Sequence, residues 1–227
     1  MKSVIDFLTA LHDNNNREWF NAHKSEYQLA LARFNSFVEE LVAGIRSFDD
    51  SIGVLGIRDC TYRIYRDTRF SADKTPYKTY FSAFIAPHGK SSGYGGYYFH
   101  LSPPQGDNLL GGSFLITGVY MPEPKVLQSI REEIEDNGAA IEEAIAASDG
   151  FTLSRMNSLK RTPRGFPTGA PYDEMLRLKD LCIERAIGRD YLLADNLAGR
   201  TVEAFRSTHR FLSIVNRAVR YAYEEMM

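Results

Sequence analysis

Residues 78–119 read KTYFSAFIAPHGKSSGYGGYYFHLSPPQGDNLLGGSFLITGV. Three extended runs stand in this stretch. Lys78 to Pro87 is the first and ends at Pro87-His88-Gly89. A Gly/Ser loop, Gly89 to Gly96, leads to the second, Tyr97 to Leu101. Pro103 to Asn108 is a concentrated turn signal, and Leu109 to Val119 follows as the third. Just upstream, Thr61 to Asp67 (TYRIYRD) is rich in β-branched and aromatic residues and reads as a strand. Leu181 to Ile187 supplies another. The links are shorter than the dozen or so residues a parallel crossover needs, so the spacing predicts antiparallel pairing.

Helical periods flank this segment. Ser3 with Asp6 is expected to cap a first helix carrying Val4, Phe7, Leu8 and Leu11. Asn14-Asn15-Asn16 stops it, because short amides compete for backbone hydrogen bonds. Asn15 or Asn16 then caps a helix beginning at Arg17. From Lys24 to Phe48, the residues Tyr27, Leu31, Phe34, Val38, Leu41 and Ile45 recur every three or four positions, an amphipathic helix. Pro122 and Pro124 end the sheet and open a helix from Glu123 to Asn137. Gly138 separates it from a second helix ending near Ser148. A basic loop, Lys160 to Pro171, and a short helix, Asp173 to Leu178, follow. Asp195 or Asn196 opens a closing helix to Glu225, with Val202, Phe205, His209, Leu212, Val215, Val219 and Tyr223 on one face. The fold class expected is α+β: a mainly antiparallel central sheet of about four to six strands, with N-terminal helices and a long C-terminal helix packed on it. Nothing marks a boundary, so one domain over 1–227 is expected. Its segments are helical (1–50), sheet-forming (58–120), and helical with loops (121–227).

The chain has 227 residues, 44% hydrophobic and 25% charged, with a formal net charge of -2. Dedicated polyanion binders are usually strongly basic, so the overall charge disfavours nucleic acid as a partner. Two cysteines, Cys60 and Cys182, are too few for a disulfide framework or a cysteine-ligated zinc site. The N-terminus lacks the features of a secretory leader, and no apolar run approaches the roughly 18 residues of a membrane span. These observations together predict a cytoplasmic protein.

Chemistry concentrates between Arg63 and Lys78. If Thr61 to Asp67 is a strand, Arg63, Tyr65 and Asp67 share one face, while Tyr62, Ile64 and Arg66 share the other. Charges in a central sheet need partners, and Arg69 and Lys74 fold back towards the same region. Arginine forks suit carboxylate or phosphate. The ligand-binding candidates are therefore Arg63, Arg66, Arg69, Lys74 and Lys78. Asn15 and Arg17 join them from a helix start, and Arg164 from the loop Arg161-Thr162-Pro163-Arg164-Gly165-Phe166-Pro167. Asp67 and Asp73 are candidate bases, and Tyr65 and Tyr77 candidate hydrogen-bond donors. An internal salt-bridge network built from the same residues is the competing reading.

Other signals fail. Gly93-Tyr94-Gly95-Gly96 lacks phosphate-loop and dinucleotide spacing. His12, His23, His88, His100 and His209 are scattered, without a metal-binding partner at helical spacing, so no metal or cofactor is expected. No serine sits in a Gly-x-Ser-x-Gly elbow. Cys60 lies near basic residues but has no base at a diagnostic spacing. The aromatic run Tyr94 to Phe99 reads as core packing more than as a base-stacking platform.

Five motifs occur in order: Asn14-Asn15-Asn16-Arg17-Glu18-Trp19-Phe20, Tyr65-Arg66-Asp67-Thr68-Arg69-Phe70, Asp73-Lys74-Thr75-Pro76-Tyr77-Lys78, Gly118-x-Tyr120-x-Pro122 and Pro163-Arg164-Gly165-Phe166-Pro167. Together they resemble the bacterial and fungal family named domain of unknown function 2461 (DUF2461), over nearly the whole chain. One departure is the wide spacing between Gly111-Gly112 and Gly118. The resemblance implies a single-domain cytoplasmic protein and supplies no activity and no catalytic residue. Three readings stay open. The cluster binds a small anionic molecule, with or without an enzymatic step. Or it joins Arg161 and Arg164 in a surface for nucleic acid or protein. Or it is a structural network, in which case Arg66→Ala and Asp67→Ala are expected to be non-additive.

Overall fold

The computed structural model describes residues 1–103, 112–169 and 171–227. Three helices come first: α1 (Lys2–Asp13), α2 (Arg17–Ala22) and α3 (Lys24–Arg46), with a short α4 (Ile57–Cys60) after them. Strands β1 (Phe81–Ile85), β2 (Gly96–Leu101) and β3 (Ser113–Val119) follow. Helix α5 (Pro124–Ala146), the two-residue β4 (Thr152–Leu153), α6 (Asp173–Leu176) and β5 (Leu181–Ile187) come next. The chain closes with α7 (Arg189–Leu192), α8 (Leu197–Ser207) and α9 (His209–Glu224). The five strands form one sheet in the order β1-β2-β3-β5-β4, and every pairing is antiparallel. No helix of the described residues is long and apolar enough to cross a membrane.

Strand alternation gives the sheet two different faces. The register aligns Tyr97 with Thr117 and Ile183, and Phe99 with Leu115. This face meets helices. Phe99 lies 4.7 Å, ring to ring, from Phe37 of α3, and Tyr97 lies 5.3 Å from Phe205 of α8. On the opposite face, Ser82 aligns with His100 and Phe114, and Tyr98 with Ile116 and Glu184. Of the aromatic run 94–99, Tyr97 and Phe99 are core residues as expected, and Tyr98 points the other way.

Several boundaries differ from the sequence reading. Thr61 to Asp67 is not a regular strand: only isolated bridges, Thr61 to Ala83 and Tyr65 to Tyr77, form there. Arg66 N–H donates to Pro76 O at 3.0 Å and Lys78 N–H to Ile64 O at 2.8 Å, but Pro76 has no N–H with which to extend the ladder. Helix α1 starts at Lys2 without a side-chain cap, and Asp6 pairs with Lys2 instead of Ser3. Asn16 is the cap of α2, accepting from the Trp19 N–H at 2.9 Å. The two helices expected around Gly138 are one, α5, with a kink at Asn137. A Cβ at Gly138 would stand 2.3 Å from the Tyr172 ring, so that glycine serves close packing, not a helix stop. The closing helix is broken at Thr208, whose buried hydroxyl donates to Phe205 O and meets the Thr117 hydroxyl at 2.9 Å. Strand β4 had no signal. The expected turn beyond Pro103 and the start of the Leu109 run lie outside the described residues.

Gly118 of β3 has φ of 142°, and a Cβ there would sit 2.2 Å from Leu181 O of β5. Only glycine lets the two backbones approach this closely. Gly118→Ala is expected to cost about 2 kcal/mol or more of unfolding free energy, read by chemical denaturation.

Candidate functional site

The bend between Tyr65 and Tyr77 is anchored from the N-terminal helices. The Asn15 amide donates to Tyr77 O at 2.9 Å and accepts from Tyr77 N–H at 3.2 Å, a two-point clamp. Beside it the Tyr77 ring stacks on Phe20 of α2 at 3.9 Å. Tyr77 is therefore a core residue, with burial raising its phenol pKa. Tyr65 is half exposed and packs edge-on against Phe20.

Within the bend, charges pair locally. The Arg66 guanidinium donates to both Asp73 and the Thr75 hydroxyl. Thr75 N–H and hydroxyl also donate to Asp73, each at 2.9 Å. These donors, the Thr75 backbone first, hold the Asp73 carboxyl down at about 2. Asp67 accepts a fork from Arg69, at 3.0 Å and 2.6 Å, which lowers its pKa and raises that of Arg69. Arg66 is aimed by the turn at Asp73, and no hydrogen bond or ion pair among the described residues joins it to Asp67.

The remaining cations go two ways. Lys74 donates to Thr68 O at 2.9 Å and, with Arg17 from the start of α2, lines a shallow cleft. That cleft has a volume of about 450 Å³ and is bounded by Asn15, Asn16, Arg17, Thr68, Lys74, Thr75 and Pro76, without a carboxylate. Lys78 turns instead towards the sheet, its ammonium 5.6 Å from the Tyr62 ring centre and 5.7 Å from that of Tyr80. Burial, then Arg63, lowers its pKa. Arg63 is exposed and close enough to bias Asp67 and Lys78. Arg164 is exposed on a loop that Thr162 ties to Asp173, and no described contact brings it to the bend.

Sequence reading passed over the sheet face beside Lys78. Tyr98 Oη lies 3.0 Å from His100 Nδ1, and the His100 ring is stacked at 4.4 Å on Phe114 and lies 4.5 Å from Tyr80. His100 is 3% exposed, and its Nε2 has no hydrogen-bond partner among the described residues. The period-two alternation of Tyr98 and His100 is the signal that would have placed them together.

Elsewhere, Asp49, His209 and Ser213 have the residue types of a hydrolytic triad but not its geometry. Asp49 Oδ2 is 3.6 Å from His209 Nδ1, and Ser213 Oγ is 3.5 Å from Nε2 while donating to its own helix at His209 O, 2.8 Å away. Asp49 instead accepts from the buried Tyr97 hydroxyl at 2.8 Å. Cys60 is buried and its thiol pushed up to about 11, chiefly by desolvation, which removes the thiolate a nucleophile needs. Among the described residues, no group of three or more His, Cys, Asp or Glu is placed to hold a metal ion.

A protein-family model described as "Conserved hypothetical protein (DUF2461)" matches residues 3–213. No curated protein and no solved structure matches the chain.

Two outcomes follow from this geometry. In double-mutant cycles read by denaturation, Arg66→Ala and Asp73→Ala are expected to be non-additive, whereas Arg66→Ala and Asp67→Ala add. Burial holds the His100 imidazole down at about 4, against 6.5 when unfolded. Between those values the unfolded chain takes up a proton that the folded chain refuses. Stability is therefore full above about pH 6.5 and falls, by roughly 2–3 kcal/mol, as pH drops towards 4. His100→Phe flattens that part of the stability–pH curve.

Proposed function

Because the chain belongs to the DUF2461 family, whose description names no activity, we propose a function from the site itself: the bend and the start of α2 bind a small polyvalent anion. The observation that carries this reading is the cleft in which Arg17 and Lys74 meet with no carboxylate on the lining. Acidic neighbours are occupied elsewhere. Asp73 is held by Arg66 and Thr75, and Asp67 by Arg69. A phosphate-type anion gains charge-assisted hydrogen bonds from the two cations, and the Asn15 clamp fixes one wall. No reaction is assigned, since the candidate bases Asp67 and Asp73 already accept from these donors. A reducing, cytoplasmic setting fits the two buried free thiols.

A second reading has its own support. The Arg66–Asp73–Thr75 knot and the Asp67–Arg69 fork use local partners, as a purely structural network would. The two readings divide the cluster between them, the knot shaping the bend and Arg17 with Lys74 facing the ligand. A surface for nucleic acid has less support, because Arg164 is not brought beside these cations.

Inorganic pyrophosphate is the probe. Isothermal titration is expected to show saturable binding that weakens at least tenfold in Arg17→Ala and in Lys74→Ala and falls with added salt. Trp19, two residues after Arg17 on α2 and donating its backbone N–H to the cleft residue Asn16, is expected to report the same event by fluorescence. Equal binding by wild type and both variants rules the cleft out.

A further inference from the structure

The sheet face turned away from α3 and α8 holds polar groups that the bend does not use. Lys78 is half-buried and has no carboxylate partner among the described residues, and Arg63, the charge that biases it, has the same sign. A cation taken partly out of water without a counter-ion lacks compensation. Its flanking groups are the rings of Tyr62 and Tyr80. Tyr62 is 38% exposed, so one of these rings is open to an incoming group.

A second, independent observation lies on the other side of Tyr80. His100 packs against that ring, with Tyr98 on Nδ1 and Nε2 left without a partner. Either tautomer leaves Nε2 unsatisfied, as a bare N–H or as a bare lone pair. Buried polar atoms in native proteins are nearly always satisfied, so a leftover one calls for an explanation. Tyr80 thus joins an unpaired ammonium to an unpaired imidazole nitrogen.

We propose that this face is a second ligand site, distinct from the cleft, and that it takes a flat aromatic carboxylate. The carboxylate meets Lys78. The ring stacks with Tyr62 and Tyr80, and the Tyr98–His100 pair stands behind it. A second ammonium, Lys90, also lies 5.9 Å from the Tyr62 ring centre but already donates to Arg58 O, so the one lysine left to pair matches a single negative charge better than a phosphate dianion, which calls for several donors. The ring is required because the walls beside the cation are aromatic faces, which reward an offset-stacked partner. The site does not rest on the pyrophosphate cleft, which lies among other residues.

Benzoate is the probe, with acetate as the ring-free control, and the readout is the His100 imidazole nitrogen resonances by NMR. Benzoate is expected to shift them saturably, and acetate at least tenfold more weakly. Lys78→Met, which keeps the apolar stem, weakens benzoate binding at least tenfold. Tyr62→Leu, at a partly exposed position, narrows the gap between benzoate and acetate. Saturating pyrophosphate leaves the benzoate curve in place. The proposal falls if benzoate leaves His100 unchanged, if Lys78→Met binds it equally, if acetate matches it, or if pyrophosphate displaces it.

Discussion

A single amide organises the bend that carries the candidate site. Asn15 exchanges two hydrogen bonds with the backbone of Tyr77, across 62 residues of sequence. The clamp replaces ladder contacts that Pro76 cannot make, and it ties the start of α2 to a bend that would otherwise hang from isolated bridges. The Phe20–Tyr77 stack beneath it excludes water, which strengthens both bonds. Arg17 lies two residues after Asn15, and Lys78 one after Tyr77. The placement of both cations follows from the same contact.

Environment separates charges that look equivalent in the sequence. Asp67 and Arg69 stay largely in water, and their pairing shapes a turn while contributing little to stability. Lys78 is partly and His100 wholly withdrawn from water, so the charge of the one and the unmet hydrogen bond of the other matter more. The residue count of the basic stretch therefore says less than where each side chain ends.

Much of the fold was legible because it depends on local period. Extended runs set off by proline and glycine turn signals marked β1, β2, β3 and β5, and the three- and four-residue spacing marked α3 and the C-terminal helices. What was lost depended on tertiary partners. The TYRIYRD stretch has strand composition, yet proline at position 76 denies it a ladder. The break at Thr208 reflects a hydroxyl contact with Thr117, which no sequence window contains. The cluster at 63–78 was legible as chemistry but not as geometry. Arg66 reaches past the adjacent Asp67 to Asp73 because the chain reverses between them. His100 was dismissed for want of a sequence neighbour, whereas Phe114 arrives from β3 and Tyr80 from the residue just ahead of β1.

The irregular segment beside β1 has one more effect. An outermost strand with free amides and carbonyls invites another chain to add on, a common route to aggregation. Here the Thr61 bridge to Ala83 occupies the middle of that rim, and Pro87 follows the strand closely. On the far rim, β4 covers only two residues of β5, and Ser154 N–H adds a bond to Cys182 O at 2.9 Å. The irregular stretch that failed to become a strand thus guards the sheet against unwanted extension.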